Sequence, residues 1–430
     1  MICRITAEQW GYMSNYIIAS SRPLKGNLRV SGSKNSVLPI LAACLLTDED
    51  NTLTEIPGLN DVNVMCELLA SLGASCHYPN INGQIKINCS NIKSTIAPYE
   101  LVNKMRASFL IMGPLLARTG SAKIPLPGGC AIGTRPVDLH LKGFAAMGAE
   151  ISYGHGFVEA NIAKRLIGNK IYLDFPSVGA TENIMMAACL ADGITILENA
   201  ATEPEITDLA TFLCSMGADI KGAGTDTIRI YGVENLRGSI HSIIPDRIEA
   251  GTFMVAAAIT GGDVTLENVE PDHLRPVTAK LREAGVDVIE NDNCIRVYSS
   301  GSIKSVDIKT LPYPGFPTDM QAQMTALMSR AEGTSIITET IFENRYMHVG
   351  ELKRMGANIK IDGRTAVIEG TKNLLGAKVA STDLRAGAAL ILAGLAADGT
   401  TEISNIEHIE RGYDRIHEKL RSLGADIFRV

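Results

Sequence analysis

The chain has 430 residues, 46% of them apolar and 20% charged, with a formal net charge of −7. A single core stops growing near roughly 250–300 residues, so two domains are expected. The acidic balance argues against a general nucleic-acid or anionic-membrane surface, while a local group of Arg and Lys would still serve a small anionic ligand. No apolar run reaches the about 18 residues that span a bilayer, and the longest near the front, Val37–Leu46, is broken by Pro39. The opening residues carry Arg4, Glu8 and Trp10 and no apolar core of signal-peptide length, so a cytoplasmic location is expected. Nine cysteines with irregular spacing and no CxxC pair point to free thiols, with no structural metal and no cofactor.

Residues 1–14 stand outside the pattern that organises the rest. Ile17–Val30 reads as strand. From there a helix, a closing glycine and a β-rich segment recur at Leu72-Gly73-Ala74, Met147-Gly148-Ala149, Met216-Gly217-Ala218, Ala284-Gly285-Val286, Met355-Gly356-Ala357 and Leu423-Gly424-Ala425. The glycines are 75, 69, 68, 71 and 68 residues apart, which makes six units. Glycine suits a helix end because the residue after it commonly takes the left-handed conformation. The helices before these glycines have one apolar face, as at Val62, Met65, Cys66, Leu69 and Leu72. A second helix in each unit is apolar nearly all round and should be buried: Ile184–Leu190, Phe253–Ile259, Met320–Met328 and Ala388–Leu395. Short strands follow at Thr195–Leu197, Val264–Leu266, Ser335–Thr338 and Thr401–Ile403.

Six units divide into two domains of three, 34–243 and 1–33 plus 244–430. The second is discontinuous, because the strand-like start completes it. The linkers, near Ser31–Lys34 and Ile243–Asp246, would run side by side with a ligand cleft between the domains. In four units the two glycines are 23 to 25 residues apart, but Gly120 and Gly148 are 28 apart. The second unit therefore carries an insertion, and it falls at Leu126-Pro127-Gly128-Gly129-Cys130. Insertions in repeat arrays map to loops and often to binding faces.

Several residues carry a chemical reading beside a structural one. Lys34 at a helix start opposes the dipole preference, which suits an anion-binding role, and the alternative is a solvated linker lysine. Arg106 in an apolar element wants a carboxylate or phosphate, or a structural ion pair. Cys130 lies among glycines near Arg135, where a thiol can exchange a proton near neutral pH, or it is one more inert cysteine. Asp319 would act as a base at a cleft mouth or simply cap a helix, as Thr318 would. Asp138 and His140 read as a cap and a solvated histidine, and Glu203-Pro204-Glu205 as an acidic strand-to-helix corner. Charged residues recur at equivalent places: Thr382–Ala386 opens the sixth buried helix as Met105–Ser108 opens the second, and Glu410–Asp414 lies where the second unit has Gly133-Thr134-Arg135. No GxxxxGK[ST] or GxGxxG loop is present, so phosphate would be met by side chains and helix ends.

Taken together, Ser33-Lys34-Asn35, Met105-Arg106-Ala107-Ser108, the Leu126–His140 stretch, Pro317–Gln321, Phe342-Glu343-Asn344-Arg345, Thr382–Arg385 and Arg411-Gly412-Tyr413 resemble the UDP-N-acetylglucosamine 1-carboxyvinyltransferases. These are the enolpyruvyl transferases that open peptidoglycan synthesis. The resemblance covers about Ile17 to Val430. It implies an α/β fold, a two-domain inside-out α/β barrel of six βαβαββ repeats, with a catalytic loop around 125–136. It implies transfer of enolpyruvyl from phosphoenolpyruvate to the 3′-hydroxyl of UDP-N-acetylglucosamine through a tetrahedral ketal. The catalytic residues it implies are Cys130 as proton donor, Asp319 as base, Lys34 and Arg411. For phosphoenolpyruvate it implies Lys34, Asn35, Arg135, Arg385 and Arg411. For the sugar nucleotide it implies Arg106, Arg135, Pro136, Val137, Asp138, Leu139, Val178, Gly179, Asp319 and Ile341. The implied partners are these two small molecules, with no nucleic acid and no membrane. The chain departs from some members at Phe175, where they have lysine, and at Leu110, where they have tryptophan. Two other readings remain: a 3-phosphoshikimate 1-carboxyvinyltransferase, which lacks the cysteine loop, and a non-catalytic paralogue that binds a nucleotide sugar.

Overall fold

The computed structural model describes residues 14–20, 22–78, 83–126, 133 and 137–430. Each of the six units places one helix inside and a small sheet outside. The inner helices are Lys34–Ala43, Met112–Thr119, Val178–Ala188, Arg247–Thr260, Gln321–Met328 and Leu384–Leu395. They are buried on nearly every side, as sequences apolar all round require. Helix Val178–Ala188 packs on the other two inner helices of its set, and the last three pack on one another. No strand barrel closes among the described residues; the helices are inside and the sheets outside.

The outer helix of each unit ends as its glycine predicts. Gly73, Gly148, Gly217, Gly285, Gly356 and Gly424 have φ of 111°, 91°, 107°, 88°, 90° and 96°. In all six the next residue's N–H closes back on the helix at 3.0 Å, as in Ala74 to Leu69 O and Ala425 to Leu420 O. The left-handed glycine lets the chain satisfy the last carbonyls and turn into the sheet. At the fourth inner helix the left-handed residue is Gly261 (φ 67°), one before the Gly262 expected.

Five units carry four-stranded sheets of one plan: a parallel strand, the strand after the inner helix, then two antiparallel strands, which form a hairpin in four of them and come from the two ends of the chain in the sixth. In the third unit Lys170–Tyr172 runs parallel to Ile194–Glu198, which pairs antiparallel with Thr227–Tyr231. The ends of each set of three close it on itself. Ile240–Ser242 returns to pair with Thr52–Thr54 of the first unit. The Ile17–Val30 segment is two strands serving two sheets. Tyr16–Ala19 inserts between Thr400–Ser404 and Ile427–Arg429, and Lys25–Arg29 lies parallel to Asp263–Glu267. Pro23, without an N–H, falls in the break.

The buried apolar side chains form two clusters, one within 37–243 and one drawn from 16–30 and 248–427. The chain crosses between them twice, and the crossings lie side by side. Ser33 N–H donates to Ile244 O at 2.7 Å, Asp246 N–H to Ser31 O at 2.9 Å, and Gly32 pairs antiparallel with Pro245. A Cβ on Gly32 would sit 1.9 Å from Glu55 O, so the crossing admits no side chain there.

Candidate active site

Lys34 is not solvated. It opens the first inner helix with its side chain 12% exposed and its Nζ 2.8 Å from Asp61 Oδ2. Asp61 sits in the first turn of the outer helix Asn60–Leu72 and also takes Arg411 Nε at 2.8 Å. One buried carboxylate thus joins a cation of the first unit to a cation of the sixth. Burial pushes the Lys34 ammonium toward its neutral form, Asp61 opposes this, and Arg385 and Arg411 add to the fall, leaving it below the ordinary value. For Asp61, burial raises the carboxyl but Lys34 and Arg411 outweigh it, so the group is held below its usual range.

The Lys34 backbone is fixed from across the crossings. Asp246 Oδ2 accepts its N–H at 3.1 Å, while Oδ1 caps the fourth inner helix through the N–H groups of Ile248 and Glu249 at 2.8 and 2.9 Å. Two residues on, Ser36 donates to Asp208, whose other oxygen lies 2.8 Å from His241 Nε2.

Asp319 caps no helix. It lies in a short 3₁₀ turn, Thr318–Met320, and Thr318 donates instead to Glu339 at 2.9 Å. The Asp319 carboxylate is held by two guanidiniums, Arg345 Nη2 at 2.8 Å and Arg385 Nη2 at 2.9 Å. Burial would raise this carboxyl, but Arg385 and Arg345 hold it well below the usual range. Arg385 opens the sixth inner helix, whose cap is Asp383, and its Nη1 is buried with no acceptor among the described residues. Its guanidinium stands 5.4 Å from the Tyr413 ring centroid.

A buried polar hub ties these segments together. Gln323 Nε2 lies 2.8 Å from Asp319 O, 3.1 Å from Thr252 Oγ1 and 3.2 Å from Tyr413 Oη, and the two hydroxyls are 3.0 Å apart. The fourth, fifth and sixth units meet there, beside Asp319, Arg385 and Arg411. Tyr413→Phe keeps the ring under Arg385 and removes one partner each from Gln323 Nε2, which keeps Asp319 O, and Thr252 Oγ1, which keeps Ile248 O. It should lower unfolding free energy by about 0.5–1.5 kcal/mol in a urea titration; unchanged stability would show that the hub is not what holds the segments.

Asn35, implied for phosphoenolpyruvate, follows Lys34. The residues implied for the sugar nucleotide lie on both sets of units. Arg106 begins the 3₁₀ turn Arg106–Ile111, and Val137–Leu139 start the helix Asp138–Ala146. Val178 and Gly179 form the first turn of the third inner helix. The last two groups meet: a Cβ on Gly179 would come 3.3 Å from His140 Cε1, and His140 Nδ1 is 3.0 Å from Asn183 Nδ2. His140 is buried, not a solvated histidine. Ile341 sits on the other set, its N–H donated to Glu339 at 2.8 Å. Cys130, Arg135 and Pro136, with most of 125–136, lie outside the described residues. Gly133 is described, and a Cβ there would fall 2.1 Å from Glu343 Oε2, so this point of the second unit abuts the fifth. Phe175 is exposed and Leu110 buried.

Asp61, Asp246 and the Glu205–Arg247 pair carry no sequence expectation as site residues, and Arg345 stood only inside a motif. Pro204 does start a helix, but Glu205 is buried against Arg247, Oε1 to Nε 3.0 Å. Asp61 is a first-turn acid of its helix, and its local sequence holds no signal of a further role.

The comparisons with known proteins agree with this geometry. The family model described as EPSP synthase (3-phosphoshikimate 1-carboxyvinyltransferase) matches residues 18–420. UDP-N-acetylglucosamine 1-carboxyvinyltransferase 1 of Caldanaerobacter subterraneus subsp. tengcongensis is 64% identical over 97% of this chain and 99% of its own length. The chain belongs to the UDP-N-acetylglucosamine 1-carboxyvinyltransferase family. A second relative in this carboxyvinyltransferase family, from Carboxydothermus hydrogenoformans, is 61% identical over 97% of this chain and its whole length. Among solved structures, the enolpyruvyl transferase NikO from Streptomyces tendae superposes with a TM-score of 0.88 at 26% identity, over 97% of this chain and 99% of that one. EPSP synthase from Acinetobacter baumannii shares the fold, with a TM-score of 0.76 at 22% identity over 97% of this chain and 99% of its own.

Proposed function

We propose that this chain transfers the enolpyruvyl group of phosphoenolpyruvate to the 3′-hydroxyl of UDP-N-acetylglucosamine and releases phosphate, the first committed step of peptidoglycan synthesis. The observation that carries the reading is the meeting of Lys34, Arg385 and Arg411 from the first and last units around Asp61 and Asp319. Phosphoenolpyruvate is a small trianion, and such a cluster of cations is what it needs. The buried Arg385 Nη1, without an acceptor among the described residues, is an open position for one of its oxygens.

The chemistry runs by addition and elimination. The sugar hydroxyl oxygen bonds to C2 of phosphoenolpyruvate as a proton reaches C3, giving a tetrahedral ketal. The C2–O bond to phosphate then breaks, a proton leaves C3, and the double bond returns. Cys130 is the proposed donor to C3, and Asp319 the acceptor of the hydroxyl proton, directly or in the elimination. Bound by two guanidiniums, Asp319 is a weak base. When Arg385 turns to the phosphate or carboxylate of the substrate, the carboxylate is freed to take a proton. Arg106, Arg135 to Leu139, Val178, Gly179 and Ile341 are proposed to hold the sugar nucleotide.

Residues 34–243 and 1–33 plus 244–430 are proposed as the two domains; the two apolar clusters and the paired crossings support this division. The reading carries a cytoplasmic location with it. Among the described residues no helix is long and apolar enough to cross a membrane.

The test is phosphate release from phosphoenolpyruvate with and without UDP-N-acetylglucosamine. Release that requires the sugar nucleotide is expected. Release without it, or release supported by shikimate 3-phosphate instead, would overturn the assignment.

A further inference from the structure

The strand Thr334–Thr338 of the fifth unit runs into Glu339, which has no exposed surface. A carboxyl group stays at such a depth only where hydrogen bonds replace water. Glu339 accepts four, all from neutral donors. Its Oε1 takes the Thr310 hydroxyl at 2.9 Å and the N–H groups of Ile341 and Phe342 at 2.8 and 3.2 Å. Its Oε2 takes the Thr318 hydroxyl at 2.9 Å. The donors come from separate segments: the residue after the strand Ile308–Lys309, the turn Thr318–Met320, and the loop that follows Glu339 itself. Ending a strand needs no such reach, since the local backbone N–H groups alone would be satisfied by a shorter acceptor.

Both sides of the Asp319–Arg345 pair hang on these bonds. Thr318 precedes Asp319, so Oε2 fixes the turn that carries the carboxylate. Oε1 fixes the loop that carries Ile341, Phe342 and Arg345. On that loop the Arg345 guanidinium stands 5.3 Å from the Phe342 ring centroid, and its Nη2 lies 2.8 Å from Asp319 Oδ1. The contacts close a ring that runs from Glu339 through Thr318, Asp319, Arg345 and Phe342 back to Glu339. We propose that Glu339 is a positioning residue for Asp319: it holds the turn and the loop in one register and so aims the carboxylate at the acceptor hydroxyl beside Ile341. This rests on the function proposed above, in which Arg385 leaves Asp319 for phosphoenolpyruvate. A carboxylate tied to Arg385 alone would follow that charge. The ring through Glu339 keeps Asp319 in place while Arg385 turns.

The test measures phosphate release at saturating phosphoenolpyruvate and UDP-N-acetylglucosamine in the full chain, Glu339→Ala, Asp319→Asn and the double variant, with circular dichroism to show folding. Glu339→Ala should lower kcat about 10- to 100-fold, the scale of an about 1 Å misplacement of a reacting group. The double variant should match Asp319→Asn alone to within about twofold, because no base is left to misplace. A merely structural loss would multiply with the Asp319 effect. Unchanged kcat in folded Glu339→Ala, or penalties that multiply in the double variant, would overturn the proposal. Thr318→Val cuts the same link from a half-buried turn and serves if Glu339→Ala does not fold. It should also lower kcat, and an unchanged value would equally overturn the role of Glu339. Release by the unaltered chain without the sugar nucleotide would remove the function on which this role rests. Nucleotide-dependent release by the unaltered chain, equalled by Glu339→Ala, would remove the role of Glu339 alone.

Discussion

Asp319→Asn should bind the sugar nucleotide and turn over at least about a hundredfold more slowly, the usual scale for loss of a positioned acid or base. The substitution keeps the volume and removes both the proton acceptor and the charge that Arg345 and Arg385 share. Two guanidiniums would then face each other with no carboxylate between them. The Asp319 side chain is 26% exposed, so the stability loss should fall between that of a surface pair and that of a buried one, about 2–4 kcal/mol. The sign of the pH dependence follows from the direction of the shift. The folded carboxyl is held well below its unfolded value, so its contribution is complete above the unfolded pKa and is lost as pH falls through the folded one. Unfolding of protein and variant should therefore converge in acid and differ at neutral pH. Normal phosphate release by the variant, measured with nucleotide binding by calorimetry, would remove Asp319 as the base.

The second large effect belongs to a residue that local sequence does not mark. Asp61→Asn should cost about 3–5 kcal/mol, because it leaves Lys34 and Arg411 without their shared carboxylate at a site where Asp61 is 3% exposed. As with Asp319, this loss should be full above the unfolded carboxyl pKa and fade in acid. It should also change the alkaline side of the activity profile. Asp61 is what keeps Lys34 charged against burial and its two arginine neighbours, so without it the ammonium gives up its proton at lower pH. The alkaline limb of kcat/KM for phosphoenolpyruvate should move toward neutral pH. A limb in its original place would show that Lys34 does not need Asp61, or does not meet the substrate as a cation.

Much of the frame was legible in the chain because it is local. A left-handed glycine one residue past a helix is written into six short segments, and all six adopt it with the same closing hydrogen bond. Helices apolar on every side had to lie inside. Motif residues such as Lys34, Asp319, Arg385 and Arg411 stood out because charges at the mouths of apolar helices need partners. Reading Asp319 as a cap failed for a related reason: a short acid before a helix looks alike whether it meets backbone N–H groups or two arginines from elsewhere.

The sequence by itself determined six units, their inner and outer helices, their glycine stops and the residues set at their edges. Helical period, left-handed glycine and apolar content all act within a few residues of one another. Only the tertiary structure decided which edges face each other. Asp61 and Arg411 are 350 positions apart, and Tyr16–Ala19 lies between two strands of the last unit. Such pairings depend on how the two sets of three units close and dock. Coulombic contacts form wherever packing brings the groups together, at no fixed spacing along the chain.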